Sequence, residues 1–146
     1  MIYIAYGSNM NQEQMEHRCP GAQLIGTGLL NGYQLEFNRH ATIVESSNPF
    51  SAVPVAVWEI TLEHEQRLDQ YEAFPLYYCK LTCQVDMLES EPIEGMVYQM
   101  NRFEHNPPGE TYYQGIRDAY ESLGFRSEVE QILQPALMRS YRLARR

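Results

Sequence analysis

Two short stretches of this sequence hold residue types whose spacing can do chemistry. The first is Tyr6-Gly7-Ser8-Asn9, where an apolar stretch gives way to a polar one. Glycine admits backbone conformations closed to other residues. N–H groups left unpaired where a helix begins bind an anion such as a carboxylate. The same four residues also make a plain capped turn. The second stretch is Leu68-Asp69-Gln70-Tyr71-Glu72-Ala73-Phe74-Pro75. Asp69 and Glu72 are three apart, so both can lie on one helix face. Glu72 falls at the end of that helix, just before Ala73-Phe74-Pro75. The negative end of the helix dipole and apolar neighbours both disfavour an ionised carboxylate there and raise its pKa. A raised carboxyl suits a general acid/base working near neutral pH. Two solvated carboxylates on a helix surface would have the same spacing.

Tyrosine is in excess, at 11 residues. Tyr77, Tyr78, Tyr112 and Tyr113 follow the Glu72 segment or the Pro107-Pro108 loop. Phenols line polar pockets and orient substrates, and they also pack at the edge of a core. Absences narrow the chemistry. No GxSxG occurs and no Cys lies beside a His in sequence, so no acyl-enzyme is expected. Neither GxGxxG nor GxxxxGK[ST] occurs, so no nucleotide cofactor is expected. Cys19, Cys79 and Cys83, with the scattered His17, His40, His64 and His105, lack metal-ligand spacing, and no metal is expected. The odd cysteine count and the absence of a secretory signal around Met1–Tyr6 point to reduced thiols in a cytoplasmic setting.

Elements must hold these residues in place. A chain of 146 residues has the size of one domain, expected to span residues 1–146. The net charge of −8 repels a phosphate backbone, so nucleic acid is not the expected partner. The longest apolar or Pro run, Ala52 to Trp58, is too short to span a membrane. The basic tail of Arg139, Arg142, Arg145 and Arg146 complements a helix C-terminus, or forms a docking patch.

The patterning predicts strands at 2–6, 23–28, 32–37, 41–45, 54–60, 76–86 and 93–100, with residues 23–28 and 32–37 flanking a turn at Leu30-Asn31-Gly32. It predicts a helix over 10–18 capped by Ser8 or Asn9, and one from Thr61 to Tyr71 with Leu68 and Tyr71 facing inward. Thr61 is the N-cap, but His64 stands where a capping box has Glu or Gln. Two more helices, 110–123 and 127–142, are split at Gly124, and Pro135 should kink or interrupt the second. The expected class is α+β, with six or seven strands in a barrel-like sheet and flanking helices.

With these elements in place, the sequence resembles the γ-glutamylcyclotransferase-like family. The resemblance rests on Tyr3-Ile4-Ala5-Tyr6-Gly7-Ser8-Asn9-Met10, Arg18-Cys19-Pro20, Ala41-Thr42-Ile43, Val55-Ala56-Val57-Trp58, Leu68-Asp69-Gln70-Tyr71-Glu72 and Tyr77-Tyr78. The segment Pro107–Tyr112 and Leu123-Gly124-Phe125 extend it. It implies a cofactor-independent enzyme in which the α-amine of a small γ-glutamyl amide attacks its own γ-carbonyl, giving 5-oxoproline and a free amine or amino acid. It implies Glu72 as the acid/base, the Tyr6-Gly7-Ser8-Asn9 backbone as the holder of the glutamyl group, and Tyr78 and Tyr112 as pocket residues, with Tyr113 as a neighbouring candidate. Asp69 is left a structural or orienting role. Two positions depart from the pattern: Ala73 and Val55 stand where the family often has Gly. The rival from another class is a binding module that keeps the fold without catalysis.

Overall fold

Runs of β-branched and aromatic residues, ended by Gly, Pro or Asn, set the strands. A computed structural model of the chain describes residues 1–145. Its strands are β1 (Ile2–Ala5), β2 (Gln23–Asn31), β3 (Tyr33–Asn38), β4 (His40–Glu45), β5 (Ala52–Glu59), β6 (Tyr78–Met87) and β7 (Ile93–Met100). Five of these close a barrel in the order β1-β5-β2-β6-β7. The neighbours are antiparallel except where β7 meets β1 in parallel, at Tyr3 and Met96.

The other two strands, β3 and β4, form a separate ribbon. The chain therefore has the expected seven strands, but two of them stand outside the barrel. Nor do β2 and β3 pair across Leu30-Asn31-Gly32. Gly32, at φ 85°, turns the chain away, and β2 instead pairs with β5 and β6. Close approach of β2 to β6 requires Gly28, where a Cβ would meet the Asp86 carbonyl oxygen at 2.5 Å. On β5, every residue from Val53 to Trp58 is buried, as a strand covered on both faces must be.

Polar ties hold the ribbon over one end of the barrel. The Met100 N–H donates to Thr42 Oγ1 (3.0 Å), and Gln99 Nε2 donates to the Ile43 carbonyl (3.0 Å). Buried Glu36 of β3 accepts from Arg139 Nε (2.7 Å), and its other oxygen lies 2.9 Å from His105 Nε2. Arg139 also donates to the Leu35 carbonyl. So one member of the basic tail is spent inside the fold, clasping a buried carboxylate. Arg146 lies outside the described residues.

The first helical segment differs from its expected form. Ser8–Met10 is a single 3-10 turn, and α1 (Gln12–Arg18) is capped by Asn11, whose side chain accepts from the Gln14 N–H (3.1 Å). Ser8 and Asn9 use their side chains elsewhere. In α2 (Leu62–Tyr71) the capping box is complete despite His64. Thr61 Oγ1 accepts from the His64 N–H, and His64 Nδ1 accepts from the Thr61 N–H. With Nδ1 accepting, Nε2 carries the ring proton and donates to the Pro20 carbonyl at 2.7 Å. Leu68 faces the core, but Tyr71 is half exposed, contrary to the expected pairing.

After α3 (Glu110–Ser122), the chain forms α4 (Arg126–Glu128), a π-helical turn over Val129–Leu133, and α5 (Gln134–Arg142). Pro135 cannot donate to this ladder, and its ring would strike the carbonyl four residues back in an α-helix. A widened π turn just before it interrupts the α-helical ladder, as the proline leads one to expect. Among the described residues, no helix is long and apolar enough to cross a membrane.

Candidate active site

Helix α2 ends at Glu72 in a Schellman motif. The Phe74 N–H donates to the Asp69 carbonyl (2.8 Å) and the Ala73 N–H to the Gln70 carbonyl (3.2 Å). Ala73 occupies the left-handed position of that motif, at φ 50°, where glycine is favoured. Asp69, one turn earlier, is fully engaged. It accepts from Tyr98 OH at 2.5 Å and from Lys80 Nζ at 3.0 Å, and Lys80 also bonds Glu65. This is the structural role left to it by the sequence.

The Glu72 side chain faces a cavity of about 120 Å³. A water needs roughly 10–15 Å³ on the same measure, so the space holds a small organic group. Tyr3, Tyr6, Tyr78, Tyr98 and Tyr112 wall it, and Gly7, Ser8 and Asn9 close one side. The expected residues Tyr6, Gly7, Ser8, Asn9, Glu72, Tyr78 and Tyr112 therefore meet at one place. Tyr113 does not join them; its ring packs edge-on to Phe37, 6.0 Å between centroids. Tyr77 lies outside, 70% exposed, on an adjoining groove.

Each phenol is fixed by a bond. Tyr6 donates to the Tyr98 carbonyl (2.6 Å). Tyr78 donates to the Ala41 carbonyl and Tyr112 accepts from the Ala41 N–H, both at 2.9 Å. The ribbon thus reaches the site through His40 and Ala41, and two tyrosines grip Ala41 by its N–H and its carbonyl. Tyr3 accepts from Asn9 Nδ2 (2.9 Å). Tyr3 and Tyr112, as acceptors in these bonds, each keep an O–H to donate. Burial raises the pKa of Tyr3, Tyr6, Tyr78 and Tyr112, so all stay neutral.

The 3-10 turn leaves its first N–H groups without intrahelical partners. Space at Gly7 is tight: a Cβ there would stand 3.2 Å from Ala41 Cβ and touch Tyr112 OH at 3.4 Å. Trp58 Nε1 donates to the Asn9 carbonyl (3.1 Å). Arg18 donates to Ser8 Oγ (3.0 Å) and to Asn9 Oδ1, and its guanidinium covers the Tyr71 ring at 3.6 Å. These bonds hold the loop rigid before any ligand arrives.

Burial pushes the Glu72 carboxyl up to about 7, against the opposing pull of Arg18. The direction is the expected one, but the cause differs. Phe74 and Pro75 are exposed, so the desolvation comes from the tyrosine walls. Among the described residues, no side chain or N–H bonds the Glu72 carboxylate, so both its oxygens are available for proton transfer. Sequence reasoning missed Tyr3, Tyr98, Tyr71, His40 and Arg18. Tyr71 and Arg18 stand inside quoted motifs, but Tyr98 reaches the site only through barrel closure, which no local pattern reveals. Among the described residues, no group of three or more His, Cys, Asp or Glu is placed to hold a metal ion.

A five-stranded barrel with a ribbon over its mouth, and a helix that ends on a half-buried acid facing a cavity, defines the class. The family model described as gamma-glutamyl cyclotransferase, AIG2-like matches residues 3–116, and the chain belongs to that family. Bovine (Bos taurus) gamma-glutamylcyclotransferase is 29% identical over 124 residues, covering 76% of this chain and 65% of its own length. The mouse (Mus musculus) protein of that name is 26% identical over 145 residues, covering 90% and 76%. A solved structure titled gamma-glutamyl cyclotransferase superposes with a TM-score of 0.82 at 25% identity, covering 91% of this chain and 85% of that one. The chain thus spans just under two thirds of the bovine relative.

Proposed function

We propose that this protein is a cyclotransferase for γ-glutamyl amides, acting through residues 1–146 as one domain. The observation that carries the reading is Glu72, a carboxyl held near pKa 7 on a cavity sized for a glutamyl group. The Ser8 and Asn9 N–H groups and the nearby Arg18 cation hold the α-carboxylate. The tyrosine walls fold the chain so that the α-nitrogen faces the carbonyl carbon, Cδ. Proximity of this kind is worth an effective molarity of about 10⁵–10⁸ M.

Ionised Glu72 takes a proton from the α-ammonium. The freed nitrogen lone pair forms the bond to the carbonyl carbon, Cδ of the glutamyl chain, and the carbonyl π pair moves onto oxygen. As the carbonyl reforms, Glu72 returns its proton to the leaving nitrogen and the original C–N bond breaks; Glu72 then takes the surplus proton from the ring nitrogen and passes it to the released amine, ending ionised as it began. The products are 5-oxoproline and an amine or amino acid; no water is consumed and no enzyme nucleophile is acylated. Tyr112, with its O–H unspent, is placed to donate to the oxyanion. Proton transfer through one positioned carboxylate contributes on the order of 10²–10⁴-fold. Glu72→Gln keeps the shape and removes the transfer. It is expected to lower 5-oxoproline release by about that factor while substrate still binds. Release at the wild-type rate would contradict the role of Glu72, and binding without release in the wild type would favour a non-catalytic module.

A further inference from the structure

Building on that cyclotransferase reading, we infer that the leaving half is an amino acid with a free carboxylate and a bulky apolar side chain, bound with its carboxylate between Arg39 and Arg102. A groove of about 770 Å³ adjoins the cavity and shares His40, Tyr71, Glu72 and Tyr78 with it. A leaving group beside Glu72 and Tyr78 therefore lies next to this groove. The groove is far larger than a small alkylamine needs.

Its walls include Ala73, Leu76, Tyr77 and Met100. Leu76 is 82% exposed, an apolar side chain held in water by a fixed loop. Asn101 fixes that loop: its Nδ2 donates to the Pro75 and Leu76 carbonyls (2.8 and 3.0 Å), and its N–H donates to the Tyr77 carbonyl (2.9 Å). Exposed apolar surface on a rigid support, beside a reaction cavity, is the signature of ligand contact.

Two guanidiniums line the same groove, in a chain of net charge −8. Neither Arg39 nor Arg102 has a side-chain hydrogen bond or ion pair among the described residues. Arg39 stands at the tip of the β3–β4 hairpin at φ 62°, a conformation that costs a non-glycine residue energy. Glu104 lines the groove too, but it also borders a neighbouring hollow that contains Arg145. A planar fork matches a carboxylate in two parallel bonds. A simple amine would leave both forks unmatched.

The full-length Glu72→Gln protein, which binds without turning over, is titrated by calorimetry with three compounds. γ-Glutamyl-phenylalanine and γ-glutamyl-phenethylamine differ by one carboxylate; γ-glutamyl-glycine lacks the side chain. The phenylalanine compound should bind about tenfold tighter than either of the others, the range exposed charge pairs and one buried ring supply. Adding Arg39→Gly and Arg102→Ala should bring the first pair to equal affinity. Glycine adopts φ 62° readily, so folding is not at stake at position 39. Equal affinities in the parent, or a preference that survives both substitutions, would overturn the inference. So would tighter binding of a γ-glutamyl-diamine, which would make Glu104 the partner. Release of 5-oxoproline by the wild type tests the parent reading separately. Equal kcat/KM on all three compounds retains cyclisation and rejects this groove, whereas no release with intact discrimination in binding does the reverse.

Discussion

Glu72 lies at a balance between burial, which favours its protonated form, and Arg18, which favours the charged one. As base it must begin ionised, so activity should climb with pH through about 7. The profile of kcat/KM checks this. Arg18→Met removes the opposing cation, and the rising limb should then move to higher pH. A limb that stays put would mean Arg18 does not act on Glu72. Stability runs the other way. A carboxyl whose folded pKa lies above its unfolded value binds more protons when folded, so stability falls as pH rises from about 4.5 to about 7. Glu72→Gln should flatten that window and gain about 1–3 kcal/mol above it, as denaturant unfolding at several pH values would read.

At the scale of the element, α2 is a device for placing one carboxylate. Its capping box holds one end and its Schellman motif the other. Thr61→Ala should cost about 1 kcal/mol through the lost cap. Ala73→Gly should stabilise by about 0.5–1 kcal/mol, because Ala73 stands at φ 50°. Urea midpoints measure both. The helix end and its acid were legible in the sequence because dipole, Pro75 and apolar spacing all act locally. Thr61 was legible as the cap, but the capping box was read as imperfect because His64 does the work of Glu through a ring nitrogen. Ser8 and Asn9 were misread as caps because Asn11 could take that role and Arg18 claimed their side chains.

On the scale of the whole molecule, bonds at Ala41, Thr42 and Ile43 tie the ribbon to the barrel, and the Glu36 clasp ties it to α5. Arg139→Ala leaves a buried carboxylate short of a partner and should cost about 3–5 kcal/mol in unfolding free energy. Strand positions were legible from alternation, since each strand is a local pattern. Strand partners were not: which strand β2 pairs with depends on Gly28 meeting Asp86, and on Gly32 turning the ribbon away. The same limit hid Tyr98 and His40 from the site. The central claim is that Glu72 drives intramolecular cyclisation. The most direct test is 5-oxoproline release from a panel of γ-glutamyl amino acids and γ-glutamylamines, by the wild type and by Glu72→Gln, both shown to be folded. The account predicts release by the wild type without added cofactor and a loss of at least about 10²-fold in the variant. Equal release by the two proteins, or none by the wild type across the panel, would contradict it.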